Sequence, residues 1–299
     1  MRMILTPIAI FAVALSACGS NSDTSQADLP SVVVTTSIAG DMVTAALGDL
    51  VGSELTVDVI TPVGADAHEF APSAKQAETM ENADLLVVSG LGYEEGMTDL
   101  IANAMDAGAV TFVLGGALEP SEGVDPHVWL DPVLMSEVFA TFPEAVASTT
   151  GVPIADVSAN TSAYVAELVK LDATITAAFA AYPDLQRNLV TSHDALSRFA
   201  DRYGFTIVDT IIPSVSTSAG ASAADLDGVL EAIRTNDVRA IFSETTESDA
   251  LAQAISDEIG RDVPVIELFT ESLGEPGNGA DTYIGMMATN AQLIADALS

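Results

Sequence analysis

IADVSANTSAYVAELVKLDATITAAFAA, residues 154–181, is a long stretch rich in alanine and leucine with neither glycine nor proline. Tyr164, Leu168, Leu171 and Ile175 recur along it at spacings of three and four, the stripe of a helix with one buried face. The spacing predicts one long helix, stopped at Tyr182-Pro183 because proline cannot continue it. On either side, short β-rich runs alternate with helical patterns. Before the helix the strand candidates are residues 31–36, 55–60, 84–89 and 110–114; after it they are 188–192, 206–211, 239–243 and 263–268. Alternation of this kind argues for βα units and parallel sheets. The expected fold is therefore α/β: two βα lobes with parallel sheets, residues 31–150 and 184–299, joined by a linking helix across 151–183. A site in such a fold belongs in the cleft between the lobes, at the carboxyl ends of the strands.

Local signals place the other helices. Ser37 reads as the N-cap of a helix over 38–47 that Gly48 stops. Ser73, with Gln76 three residues on, has the spacing of a capping box. A helix is expected over 96–107, and Asp131-Pro132 opens another, an acid cap followed by proline at the first helical position. In the second half, helices are expected near 195–203, 223–234, 249–259 and 282–297, with Asp281 as the cap of the last.

The amino end is not part of the fold. Arg2, the apolar run 3–15 and the small-residue pattern LSAC at 15–18 make residues 1–17 a signal peptide. Cys18 is the only cysteine, and the pairing resembles a bacterial lipobox. That resemblance implies a diacylglyceryl thioether on Cys18 and a mature chain tethered to the cell membrane through this anchor alone. Residues 18–30 are polar and aperiodic and read as a flexible tether. No other segment is long and apolar enough to span a bilayer. With 43 acidic residues against 9 basic, the formal charge is −34. Such a surface repels nucleic acid and anionic lipid and concentrates cations. A lone cysteine excludes disulfides and thiolate metal sites.

Three histidines remain for chemistry, and each falls in a loop after a strand candidate rather than on an apolar helix face. His68 lies in PVGADAHEF (62–70), His127 in DPHVWLDP (125–132) and His193 in TSHDAL (191–196). Three neutral imidazoles suit zinc, copper, nickel or iron, whereas calcium and magnesium take mostly oxygen. The loop FTESLG (269–274) is the counterpart, in the second half, of the loop that carries His127, and it offers Glu271 as a fourth, anionic ligand. Glu244 and Glu267 are ranked below it. Asp125, Asp131 and Asp194 are candidates to hydrogen-bond an imidazole, Asp131 equally to cap a helix. Trp129 reads as packing behind the His127 loop and Met286-Met287 as core.

The order and spacing of these words are similar to those of the zinc- and manganese-binding solute-binding proteins of ABC importers, over essentially the whole mature length. The matching words are the strand 32–36 with its helix, GADAHEFAPS (64–73), DPHVWLDP (125–132), TSHDAL (191–196) with YGF (203–205), IFSE (241–244) and TESLG (270–274) leading to DTYIGMM (281–287). The resemblance implies two α/β lobes joined by a rigid helix, ligands at His68, His127, His193 and Glu271, and monomeric behaviour. It also implies a lipoprotein at the periplasm or cell surface that captures a transition metal ion and delivers it to an ABC permease. Three departures bear on the cation. Glu271 stands where the family usually has aspartate, one methylene shorter. Residues 115–124 contain none of the histidines that zinc-dedicated members often carry there. Manganese members tend to place glutamate at the position of His193, so a third nitrogen favours Zn2+ over Mn2+.

The competing functions are a manganese-specific binding protein of the same family, a zinc hydrolase and a cell-adhesion protein on the same scaffold. The chain has no His-Glu-x-x-His helix, Gly-x-Ser-x-Gly elbow, Gly-x-Gly-x-x-Gly or P-loop motif, so it is expected not to be an enzyme.

Overall fold

The computed structural model describes residues 29–118, 124–182 and 186–299. The signal peptide, Cys18, nearly all of the tether, Pro183 and the middle of the 115–124 segment lie outside these residues.

The first half contains strands β1 (Ser31–Val34), β2 (Thr56–Val59), β3 (Leu85–Val88) and β4 (Val110–Val113), all parallel, in the order β2-β1-β3-β4. Its helices are α1 (Ser37–Leu47), α2 (Ala74–Glu81), α3 (Thr98–Ala107) and α4 (Pro132–Thr150). Val32, Val33 and Val34 in β1 and all of β3 are buried, because the central strands of a parallel sheet are covered on both faces. The edge strands β2 and β4 are partly exposed.

After α5 (Ile154–Ala180) the plan repeats. Strands β5 (Asn188–Thr191), β6 (Thr206–Thr210), β7 (Ile241–Glu244) and β8 (Val265–Leu268) form a second parallel sheet, ordered β6-β5-β7-β8. The accompanying helices are α6 (Ser197–Tyr203), α7 (Ala223–Thr235), α8 (Ala250–Ile259) and α9 (Tyr283–Leu298). Among the described residues, no helix is long and apolar enough to cross a membrane.

Helix α5 turns back on α4 through Gly151, whose φ of 75° is left-handed, then Val152 and Pro153. Its predicted stripe is buried: Tyr164, Leu168, Leu171 and Ile175 are joined by Val157, Thr161 and Phe179. The stripe packs against α1 and α4 of the first lobe and against α9. The amide of Asn160 donates to the Leu47 carbonyl at 2.7 Å and the hydroxyl of Thr161 to Ala46 at 3.2 Å, so the linking helix satisfies the otherwise unpaired carboxyl end of α1. One apolar core runs from the first sheet through α4, α5 and α9 to Phe199, Phe242 and Leu268 of the second lobe. A smaller core of nine buried residues, including Val190, Val229, Ile241 and Ile255, sits behind the second sheet.

Two caps differ from the sequence reading. Thr36, not Ser37, caps α1, accepting from Ala39 N at 3.2 Å, and Ser37 enters the first turn. The two hydroxyls are interchangeable as caps, and what decides is that Ser37 meets Ser272 of the other lobe at 3.2 Å. Thr282 caps α9, while the Asp281 carboxylate accepts from Gly277 N at 3.0 Å within its own loop. The Ser73–Gln76 capping box and the Asp131 cap form as expected.

Candidate metal centre

Each histidine is aimed by a short loop with its own hydrogen bonds. His68 follows β2, in a turn where its N–H donates to Asp66 Oδ1 at 2.8 Å. His127 follows β4 in a second turn of this kind: its N–H reaches Asp125 Oδ1 at 2.9 Å and its ring Nδ1 meets the same oxygen at 2.7 Å. The chain then forms a tight turn over Val128–Leu130, and the carboxylate of Asp131 caps α4 at Val133 N and Leu134 N, 2.9 and 3.2 Å away. His193 follows β5, and its Nδ1 stands 2.5 Å from Glu244 Oε1 at the end of β7, a carboxylate also held by Ser192 Oγ at 2.9 Å. Glu271 follows β8, where the side-chain amide of Asn290 on α9 bonds both N–H and C=O of Phe269, at 3.0 and 2.8 Å.

These loops bring His68, His127, His193 and Glu271 together, with one donor atom from each inside a 4.8 Å sphere of mutual distances. All four are buried, His127 and His193 completely. His127 Nε2 lies 3.4 Å from His68 Nε2, 3.3 Å from His193 Nε2 and 3.4 Å from Glu271 Oε1. Glu271 lies 3.8 Å from His68 Nε2 through Oε2 and 3.9 Å from His193 Nε2 through Oε1. A tetrahedral ion with arms of about 2.0–2.1 Å has ligand–ligand edges of roughly 3.3–3.4 Å. The three distances from His127 match that size, and those from Glu271 to His68 and His193 exceed it by roughly half an ångström. The first lobe supplies His68 and His127, the second His193 and Glu271.

The tautomers agree with this geometry. Asp125 and Glu244 are placed to accept Nδ1 protons from His127 and His193, which would turn Nε2 of each toward an ion in the loaded protein. Glu271 Oε1 is buried with no hydrogen-bond partner, while Oε2 accepts from Tyr93 OH at 2.7 Å. An orphaned buried carboxylate oxygen near the His127 and His193 imidazoles, with His68 beside the other carboxylate oxygen, is a donor set that fits a divalent ion.

Burial raises the Glu271 carboxyl to about 7, only partly offset by His127 and His193. Burial, then His127, lowers His68 to about 4. His193 moves the other way, to about 9: burial lowers it, but the charge and hydrogen bond of Glu244, with help from Glu271, more than reverse this. The Asp125 carboxyl, which burial would raise, is held below its ordinary value by the His127 hydrogen bond and charge and by Arg198.

Other candidates find different places. Glu244 faces away from the common point of the four donors and orients His193, and Glu267 is exposed on β8. Asp194 bonds no imidazole; it accepts from Ser197 Oγ at 2.5 Å at the start of α6, which its short side chain reaches within the same turn. Trp129 packs edge-on against His127 and Tyr93, as a packing residue should, and its indole N–H also crosses the cleft to Thr270 O at 2.8 Å. Met286 and Met287 are core. Tyr93 and Arg198 were not singled out from sequence. Tyr93 has the weak signal of an aromatic in a glycine-rich loop after a strand, and Arg198 has only its scarcity of charge. Ser272 adds another cross-cleft bond, accepting from Gly64 N at 2.7 Å.

Two parallel α/β lobes braced by a long helix, with a buried nitrogen-rich cage built equally from both, define a bilobed solute-binding protein of metal-ion type. Residues 32–297 match the family model of zinc-uptake complex component A, periplasmic (ZnuA), and the chain belongs to that family. Its members are metal-binding components of ABC importers. The chain is 28% identical over its whole length, and over the whole of the relative, to the manganese-binding lipoprotein MntA of Halalkalibacterium halodurans. It is 28% identical to the iron ABC transporter substrate-binding lipoprotein MtsA of Streptococcus pyogenes, covering 95% of this chain and 94% of that one. The zinc-binding protein TroA of Treponema pallidum is 29% identical over 90% of this chain and 89% of its own. The solved structure of periplasmic TroA superposes with a TM-score of 0.82 at 27% identity, over 91% of this chain and 99% of that one.

Proposed function

We propose that this chain captures Zn2+ outside the cytoplasmic membrane, in the cage of His68, His127, His193 and Glu271, and hands it to the permease of an ABC importer. The observation that carries the reading is the convergence of three imidazole Nε2 atoms and one carboxylate oxygen, two from each lobe, in a space the size of a four-coordinate ion. The names of similar proteins span manganese, iron and zinc, so the cation is argued from the donors. Three nitrogens and one oxygen suit zinc; manganese is better served by more oxygen and an octahedral shell. The extra methylene of Glu271 lets Oε1 reach the cage while Oε2 stays with Tyr93, which favours a single carboxylate oxygen per ion.

A hydrolytic zinc site keeps one position open for water. Here the fourth direction is filled by a buried glutamate, so the arrangement favours capture over catalysis. Two of the relatives are named lipoproteins, and together with the lipobox-like Cys18 this supports a chain anchored outside the cytoplasmic membrane, which the same proposal takes to act as a monomer. The division into lobes at 31–150 and 184–299 belongs to the same reading: capture draws the cage shut, and the continuous core confines release to small shifts of the second lobe's loops.

Elemental analysis of the purified, chelator-stripped protein after reloading, followed by competitive titration with zinc and manganese, tests this. One tightly bound zinc per chain is the expected result. A preference for manganese overturns the cation assignment and keeps the transport role, and the absence of any stoichiometric metal overturns both.

A further inference from the structure

A guanidinium beside a cation cage needs a reason, above all in a chain with 9 basic residues against 43 acidic. Arg198 opens helix α6 directly after the His193 loop, yet it reaches across to the first lobe. Its Nε donates to the backbone carbonyl of Asp125 at 3.0 Å, Nη2 donates to the same oxygen, and Nε lies 3.6 Å from Asp125 Oδ2. Asp125 is the residue that holds His127, through Oδ1, at both backbone N–H and ring Nδ1. Its Oδ2 is buried without any other partner. At the other end, α6 is tied to the His193 loop by the Ser197–Asp194 hydrogen bond of 2.5 Å. One side chain thus grips the support of His127 from the lobe that carries His193, and the Nε2 atoms of the two histidines are 3.3 Å apart.

We propose that Arg198 is a positioning residue for ion retention: its grip on Asp125 across the cleft locks the His127 imidazole in place when the lobes are engaged, and its disengagement frees His127 for release. The cost is electrostatic, since a positive group near the cage opposes a cation. A planar fork that grips carbonyl and carboxylate together does what a point charge cannot, so lysine is a poor substitute. The inference rests on the reading of the cage as an ion-capture site.

The test compares Arg198→Met, Arg198→Lys and, as a control on the same helix, Arg202→Met in the full chain. Arg202 pairs with Asp172 on α5 at 2.8 and 2.7 Å and touches nothing in the cage, so its loss reports only the docking of α6. Zinc release to a fast chelator is followed by stopped flow. The tautomer of His127 in the metal-free protein is read from long-range ¹H–¹⁵N spectra. The expected result is release about 10–100-fold faster in Arg198→Met, an intermediate rate in Arg198→Lys and a wild-type rate in Arg202→Met. The His127 Nδ1–H tautomer should be single in the wild type and averaged only in the Arg198 variants. A wild-type rate and spectrum in Arg198→Met, or equal acceleration in Arg202→Met, overturns the role of Arg198 and leaves the capture reading standing. A wild-type chain that holds neither zinc nor manganese overturns the capture reading, and the retention role with it.

Discussion

Replacing Glu244 by glutamine removes a charge from the metal centre while keeping its shape, and the structure predicts two opposed consequences. Glu244 Oε1 receives the Nδ1 proton of His193 at 2.5 Å and the Ser192 hydroxyl at 2.9 Å; a glutamine oxygen accepts both, so the tautomer survives. Without the carboxylate behind it, the Nε2 lone pair becomes a weaker donor, and losses of about 10–100-fold in affinity are usual for such a change. Glu244 is also what holds His193 up to about 9, against burial, which lowers it. At pH 7 a group of that pKa is almost fully protonated, so the ion must displace a proton, a penalty of about 100-fold in apparent affinity. With the charge gone, burial draws His193 down from about 9, against the weaker pull of Glu271 and Glu247, and the penalty shrinks. Near neutrality the two effects largely cancel. Above about pH 9 only the loss remains.

The sign follows from linkage: the metal-free wild type carries a proton on His193 that the loaded protein lacks, so wild-type affinity climbs with pH until about 9, and the variant's levels off lower, once Glu271, near 7, has lost its proton. Competitive chelator titrations from pH 6.5 to 9.5 measure the two slopes. Calorimetry in buffers of different ionisation enthalpy counts the protons, and at pH 7.5 the variant should release fewer than the wild type. Parallel affinity curves with equal proton counts would refute the claim that Glu244 governs His193.

Equilibrium dialysis should find that His68→Ala, His127→Ala and His193→Ala each lose zinc affinity by orders of magnitude, and Glu271→Gln less, because its amide oxygen still donates; unchanged affinity in two of the three histidine variants removes the ligand assignment. Trp129→Phe deletes the indole donor to the Thr270 carbonyl, and stranding that buried acceptor should cost about 1–3 kcal/mol, seen as a melting temperature several degrees lower in the metal-free protein. Acidification from pH 7 to 5 should strip the metal progressively as Glu271, near 7, takes up its proton alongside His193; metal retained at pH 5 as firmly as at pH 7 contradicts the site. Saturating zinc at about 100 times Kd should stabilise the chain by about 2.7 kcal/mol, and a chelator should reverse it.

The architecture was legible because its signals are local. The stripe from Tyr164 to Ile175 states one buried helical face, and the fully buried β3 reads as an apolar run whatever surrounds it. Strand ends in parallel sheets share one edge, so three histidines each placed just after a strand point to a common cleft before any coordinates exist. Choices between chemically equal residues were not legible. Glu244 and Glu271 both sit at strand ends; the sequence ranks Glu271 first as the counterpart of the His127 loop, but that Glu244 stands behind His193 comes from the packing of β5 beside β7. Thr36 and Ser37 compete for one cap on equal local terms, and Ser272, far away in the chain, settles which is used. Tyr93 on Glu271, Trp129 on Thr270 and Arg198 on Asp125 are likewise contacts across the cleft. Helical and strand periodicity records which face of an element leaves water, and that much the chain determined alone. Which partner meets that face across two lobes depends on how the lobes are docked, a relation no short window of residues contains, and that part the tertiary structure decided.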